Sequence, residues 1–193
     1  MRPNVTFLVR TACVATFALT PSVARADVTS WLGVGSGVAL QHSEKTGADE
    51  TVAPLSLSVG VGSSPRAAVV VGGLLRTVTY FSLGTDLGLA LRATTGGFAR
   101  GQFGVAVDAG MVGRWWNGGD FGRYPFQGVV TLGAPWGLGL ALGAQVGTLD
   151  DAAAARGGFA MLEIDFLRLT VMRQGPTDRV WFNPAPAGGR EPR

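Results

Sequence analysis

Large apolar side chains recur at every second position over most of this chain. From Trp136 to Val146 the even positions hold Trp136, Leu138, Leu140, Leu142, Ala144 and Val146, while the odd ones hold only Gly, Ala and Gln. The same alternation sets Leu32, Val34, Val38 and Leu40 against Gly33, Gly35 and Gly37, and Leu55, Leu57, Val59 and Val61 against Ser56, Ser58, Gly60 and Gly62. It returns with Leu87, Leu89 and Leu91 opposite Asp86, Gly88, Ala90 and Arg92, and with Phe103, Val105 and Val107 opposite Gly104, Ala106 and Asp108. A period of two places successive side chains on opposite faces of a strand. Together with less regular segments, the pattern predicts eight strands: 29–40, 52–62, 67–80, 83–94, 98–112, 123–133, 136–148 and 158–173.

The last of these has an irregularity. Leu162, Ile164 and Phe166 share one face, but Leu167, Leu169 and Val171 continue on the opposite parity. A β-bulge near Phe166 is expected to restore the register.

The second face decides the solvent. A soluble sandwich or barrel turns its apolar face inward and covers the other with solvated residues. Here the other face carries Gly, Ala, Ser, Gln and isolated charges, which suits the lining of a narrow interior. Apolar side chains outward and small or polar ones inward is the transmembrane barrel pattern. The predicted fold is therefore all-β, an eight-stranded antiparallel up-and-down transmembrane β-barrel. By parity its interior charges are Asp86, Arg92, Arg100, Asp108, Arg114, Glu163 and Asp165, with Arg76 and Arg168 as further candidates. Mixed signs on adjacent strands predict a salt-bridged plug, because isolated buried charges are costly.

Loop lengths follow the same logic. If the first strand rises from the periplasm, three of four outer connections are long and polar, around 41–51, 113–122 and 149–157, and the inner ones are short. Aromatic residues gather at predicted strand ends. Trp31, Phe98 and Trp136 fall on the inner rim and Trp115, Trp116, Tyr124 and Phe126 on the outer, as expected of membrane-interface girdles. In architecture the segment 27–174 resembles the small eight-stranded outer-membrane barrels of Gram-negative bacteria, the outer-membrane protein A and X type. That resemblance implies a location in the outer membrane. It departs at the C-terminus, where those barrels usually end on a strand with a terminal aromatic; this chain continues through a Pro- and Gly-rich tail, 175–193.

Composition sharpens the picture at the N-terminus. Arg2 and Arg10, the apolar run Thr11–Leu19, Pro21 and Ala24-Arg25-Ala26 have the order of a secretory signal, with cleavage expected after Ala26. Loss of Arg2, Arg10 and Arg25 turns 16 basic residues against 13 acidic into an even balance. Lys45 is the sole lysine and no basic cluster is interleaved with aromatics, which argues against a nucleic-acid partner. Cys13 is the only cysteine, so disulfides cannot hold the exported domain.

Little in the chain points to catalysis. The Gly-rich runs lack the strand-to-helix context and the lysine of a phosphate-binding loop. Gly139, Gly143 and Gly147 form a small-residue pattern also found in packed membrane helices, yet a strand gathers these glycines on one face. His42 is the only histidine, which excludes a multi-histidine metal site, and no metal or cofactor is expected. Some lipid-modifying outer-membrane barrels use a His and a Ser near the outer rim, and a loose resemblance to them makes His42 and Ser43 the candidates for acyl chemistry. Asp49-Glu50 and Asp150-Asp151 lie on outer loops, where solvation suffices to explain them. The expected function is a non-enzymatic outer-membrane barrel, monomeric, in contact with outer-membrane lipid and with surface ligands or proteins through its outer loops. The alternatives are a lipid-modifying enzyme using His42 and a soluble periplasmic barrel that binds an apolar ligand.

Overall fold

The computed structural model describes residues 28–43, 47–116, 124–147 and 156–170, without the side chains of Ser43 and Thr170. The expected signal segment 1–26, the tail 175–193 and, of the expected long outer connections, residues 44–46, 117–122 and 149–155 lie outside the described residues. The strands are β1 (Thr29–Ser43), β2 (Ala48–Val52), β3 (Pro54–Gly62), β4 (Val69–Tyr80), β5 (Gly84–Thr95), β6 (Gly104–Trp116), β7 (Phe126–Gly133), β8 (Leu138–Val146) and β9 (Gly157–Asp165). Each pairs antiparallel with its sequence neighbour, and β1 also pairs with β9, so the sheet closes on itself.

β2 and β3 are one strand with an interruption. Both keep a single register against β1, from Ser43↔Ala48 down to Thr29↔Gly62. The ladder breaks at Ala53 and Pro54, since Pro has no N–H to donate; the Ser36 hydroxyl bonds the Pro54 carbonyl instead. The barrel is therefore eight-stranded, a size whose interior side chains just fill.

Parity assigns the two faces as the sequence predicts. Leu91 is 76% exposed and Arg92, the next residue, 4%. Leu55, Leu57, Leu89, Val107, Leu140, Leu142 and Leu162 all point away from the barrel axis, whereas Ser56, Ser58, Asp108, Ala141 and Glu163 are buried within it. The glycines at 139 and 143 lie on β8, a strand, and no helix among the described residues is long and apolar enough to cross a membrane.

The two ends of the barrel differ. At one, the β1–β2 hairpin rises above the three-residue turn Phe81–Leu83 that joins β4 to β5. We call this the hairpin end. The opposite, capped end carries α1 (Gly96–Ala99), a 3₁₀ turn at Pro135–Gly137 and α2 (Phe166–Thr170). Thr95 caps α1 by accepting from the Phe98 N–H, and its hydroxyl also accepts from Val105 N–H, which ties the helix to the start of β6.

Several predicted boundaries move. α1 and its following turn replace the start of the strand predicted from residue 98. The irregularity at Phe166 is not a bulge: β9 ends at Asp165 and the chain turns into α2, so a helical period explains the change of parity. The Asp165 carboxylate accepts from the N–H groups of Leu167 and Arg168 and so starts that helix.

Candidate functional site: the charged lumen

The inward positions of β4, β5, β6 and β9 bring opposite charges together because the strands pair in a register that aligns them. Arg92 faces Asp108 and Asp86 faces Arg114 as direct partners across β5 and β6. Three layers result.

The middle layer holds Arg76, Arg92, Asp108 and Glu163. Arg92 donates from Nε and Nη2 to the two oxygens of Asp108, at 2.6 and 2.7 Å. Arg76 donates from Nη2 to Glu163 Oε1 at 3.0 Å and lies 3.4 Å from Asp108 Oδ2. The Arg92 guanidinium also lies over the rings of Trp31 and Phe98, 5.3 and 5.7 Å from their centroids. Bidentate geometry and aromatic faces together give a desolvated guanidinium partners on its edge and its plane.

Toward the hairpin end, Arg114 donates from Nε and Nη2 to Asp86, both at 3.1 Å, and from Nη2 to Gln145 Oε1 at 2.5 Å. Gln145 Nε2 donates to Asp86 Oδ2 and to the Tyr80 hydroxyl, and Trp116 Nε1 donates to Asp86 Oδ1 at 2.9 Å. The Arg114 guanidinium stacks 3.7 Å from the Trp116 ring centroid. Around this layer Ala39, Val78, Leu83, Val129, Phe159 and Met161 form an apolar seal with Tyr80 and Trp116.

At the capped end Arg168, on α2, pairs with Asp165 and donates to the carbonyls of Ala99 and Ser30 and to the Thr29 hydroxyl. One side chain thus joins α1, α2 and β1. Burial draws its guanidinium below the ordinary arginine value, and Asp165 opposes that shift.

The sequence-predicted residues distribute as follows. Asp86, Arg92, Asp108, Arg114 and Glu163 line the lumen, and Arg76 and Arg168 join them. Asp165 and Arg100 belong to the cap, half-buried, with Arg100 donating to the Pro65 carbonyl. Among the aromatics, Trp115, Tyr124, Phe126 and Trp136 are exposed on the exterior. Trp31 and Trp116 are not membrane-interface residues; both are buried in the lumen, and Phe98 packs half-buried against Trp31's cluster. Strand-end position suggested a girdle for them, but Trp31 shares parity with Gly33, and Trp116 with Arg114, so both point inward. Tyr80, by its place at a strand end expected among the outer-rim aromatics, is likewise buried in the lumen; Gln41 and Gln145 were not named as lumen partners, although each sits on the inward parity.

His42 lies on the exterior of the hairpin end, across from Asp49 on β2. Its Nδ1 is 2.8 Å from Asp49 Oδ1, and Arg156 Nη2 approaches the same oxygen at 3.6 Å. The hydrogen bond from His42 holds the Asp49 carboxyl below its ordinary value. Ser43, the other candidate for acyl chemistry, ends β1 as the register partner of Ala48. Asp150 and Asp151 lie outside the described residues, among which no cluster of metal-ligating side chains occurs.

Compared with known proteins, the chain matches no family model, no curated protein and no solved structure.

Proposed function

We propose that this chain is an exported bacterial outer-membrane protein that spans the membrane as a closed, non-conducting barrel. Its role is structural or interactional, exercised at the hairpin end, which faces outward. The observation that carries this reading is the belt of exposed aliphatic side chains around the closed sheet. In water, burial stabilises apolar surface by roughly 25 cal/mol per Å², so a soluble barrel gains by turning these residues inward. This barrel instead fills its interior with arginines and carboxylates. An apolar belt around the whole circumference far exceeds the patch of a few hundred Å² that a soluble monomer exposes. Hydrocarbon is the solvent that suits it. β3, β8 and β9 each count nine residues, and a tilted strand needs roughly 9–11 to cross the hydrocarbon core.

Fractionation tests the proposal. The protein is expected in the outer-membrane fraction as a heat-modifiable species on gels; recovery in the soluble periplasmic fraction would overturn it. In planar bilayers the salt-bridged lumen is expected to give no steady large conductance.

The bond between His42 and Asp49 favours a second reading, a lipid-modifying enzyme in which Asp49 orients the histidine as a base. Among the described residues the polar partner of His42 is this carboxylate, and no hydroxyl is bonded to it. Lipid A acylation that is unchanged by His42→Ala removes this second reading.

A further inference from the structure

One exposed residue at the capped end is held in a conformation that does not suit it. In the connection from β7 to β8, Trp136 and Gly137 both have positive φ, 66° and 74°. A hairpin turn with two such residues favours Asn-Gly or Gly-Gly, because a bulky L-residue is disfavoured in the left-handed region. The turn has little freedom to relieve it. Pro135 fixes its entry, the Ala134 N–H donates to the Leu138 carbonyl at 2.8 Å, and a Cβ on Gly137 would stand 2.7 Å from the Asp165 carbonyl oxygen. Backbone strain of this kind persists where something compensates for it. Packing among the described residues supplies little of that compensation, since Trp136 is 68% exposed.

The neighbours of Trp136 point to its surroundings. By parity it continues the exposed row Leu138, Leu140 and Leu142 of β8, so it ends the apolar belt at the capped rim. Leu138 pairs with Ile164, and two residues farther along each chain stand Trp136 and Phe166. Phe103 directly precedes Gly104, whose register partner is Gly133 at the start of the same turn. Phe103 and Phe166 are exposed, and they take the rim places that strand-end position assigned to Trp31 and Phe98. The other half of this rim differs. Its β3–β4 connection reads Ser63-Ser64-Pro65-Arg66-Ala67-Ala68, and among the described residues no exposed aromatic lies at the capped ends of β1–β5.

We propose that Trp136, with Phe103 and Phe166, is a one-sided anchor in the boundary between phospholipid headgroups and acyl chains at the capped end. An indole offers an apolar body to the acyl side and an N–H to the headgroup side, which water or hydrocarbon alone does not satisfy. The wall β6–β9 is thereby pinned at a fixed depth, and the opposite wall is free to rise or sink around it. The anchor rests on the membrane-spanning barrel proposed above and adds the lipid zone that one turn occupies.

The test uses the full chain labelled with fluorotryptophan and folded into phosphatidylcholine vesicles, with Trp136 and Trp115 assigned from Trp136→Phe and Trp115→Phe. The Trp136 fluorine signal is expected to be broadened most by lipids spin-labelled near the headgroup, and less by lipids labelled at the chain end or by an aqueous paramagnetic chelate. A pair of substitutions separates anchoring from turn geometry. Trp136→Asn suits positive φ and removes the ring, whereas Trp136→Phe keeps a ring and keeps the strain. In vesicles the urea midpoint of Trp136→Asn is expected to fall below those of both wild type and Trp136→Phe. Greatest broadening by the chelate or the chain-end label, or an Asn variant with a midpoint at or above either of the others, overturns the anchor. If Trp115 responds to lipid-borne labels and Trp136 does not, the anchor alone falls; if neither responds, the membrane-spanning barrel falls with it.

Discussion

Arg92 and Asp108 meet across β5 and β6 through two near-parallel hydrogen bonds inside the barrel, with the Trp31 ring against the guanidinium. Removing one partner of such a buried pair costs about 3–5 kcal/mol, because the other charge is left uncompensated. Asp108→Ala is therefore expected to lower the unfolding free energy of the detergent-folded barrel, read from urea titration, by an amount in that range. Arg92→Met combined with Asp108→Leu should recover a large part of it, as buried pairs replaced by apolar residues often do. Additive losses in the double variant would mean that the two residues do not act as a unit.

Leu89, on β5, is among the most exposed of the outward leucines. A cation at the middle of a lipid-facing strand costs roughly 2–4 kcal/mol. Leu89→Arg is expected to reduce folding into phospholipid vesicles by that amount, read from the fraction of heat-modifiable species against urea. In a water-facing wall the same substitution is neutral.

Two glycines separate the tight places from the loose ones. A Cβ on Gly110 would stand 2.1 Å from the Leu89 carbonyl oxygen and 2.6 Å from Ala90 Cα, which are backbone atoms that cannot rotate aside. Gly110→Ala is expected to destabilise by about 1–3 kcal/mol through overpacking. Gly73 has no atom within 4 Å of the same position, so Gly73→Ala should be neutral or gain up to about 1 kcal/mol from the stiffer unfolded chain. Equilibrium unfolding of both variants checks the contrast.

The Asp49 carboxyl titrates below its ordinary value of 3.8, chiefly because His42 hydrogen bonds to it, with Arg156 adding to the effect. A carboxyl depressed in the folded state stabilises above its unfolded value, and that contribution is lost as pH falls through the folded one. The hairpin end should therefore loosen only on acidification below about pH 4. An NMR titration of the Asp49 carboxyl carbon is expected to give a midpoint below 3.8, rising toward it in His42→Ala. An unmoved midpoint in that variant would show that the bond does not set it.

The exterior and interior faces were legible because a period of two needs no knowledge of neighbouring strands. The pairs Asp86 with Arg114 and Arg92 with Asp108 were within reach as well, since each is symmetric about the turn near residue 100. What stayed hidden depends on closure. Arg76 and Glu163 are 87 residues apart and meet across the lumen only when β9 joins β1. Trp31 and Trp116 lie near strand ends, where a girdle is expected, but parity turns both inward and parity decides their surroundings. Gln41 and Gln145 passed unnoticed because a lone amide among glycines carries no sign of charge or size. At Phe166 the change of phase was visible, but two physical causes produce it, and only the backbone distinguishes a bulge from a helix.

Closure through β1 and β9 also orders events in time. The partner that completes Arg76, the strand that covers the open edge of β1 and the Arg168 that locks the cap all arrive with the last described segment of the chain. Contacts so distant in sequence form slowly, and until they form the sheet has two bare edges able to pair with other chains. The barrel is thus most vulnerable to aggregation just before its final strand docks, and a partner that shields those edges until then would protect it at the stage when its own fold cannot.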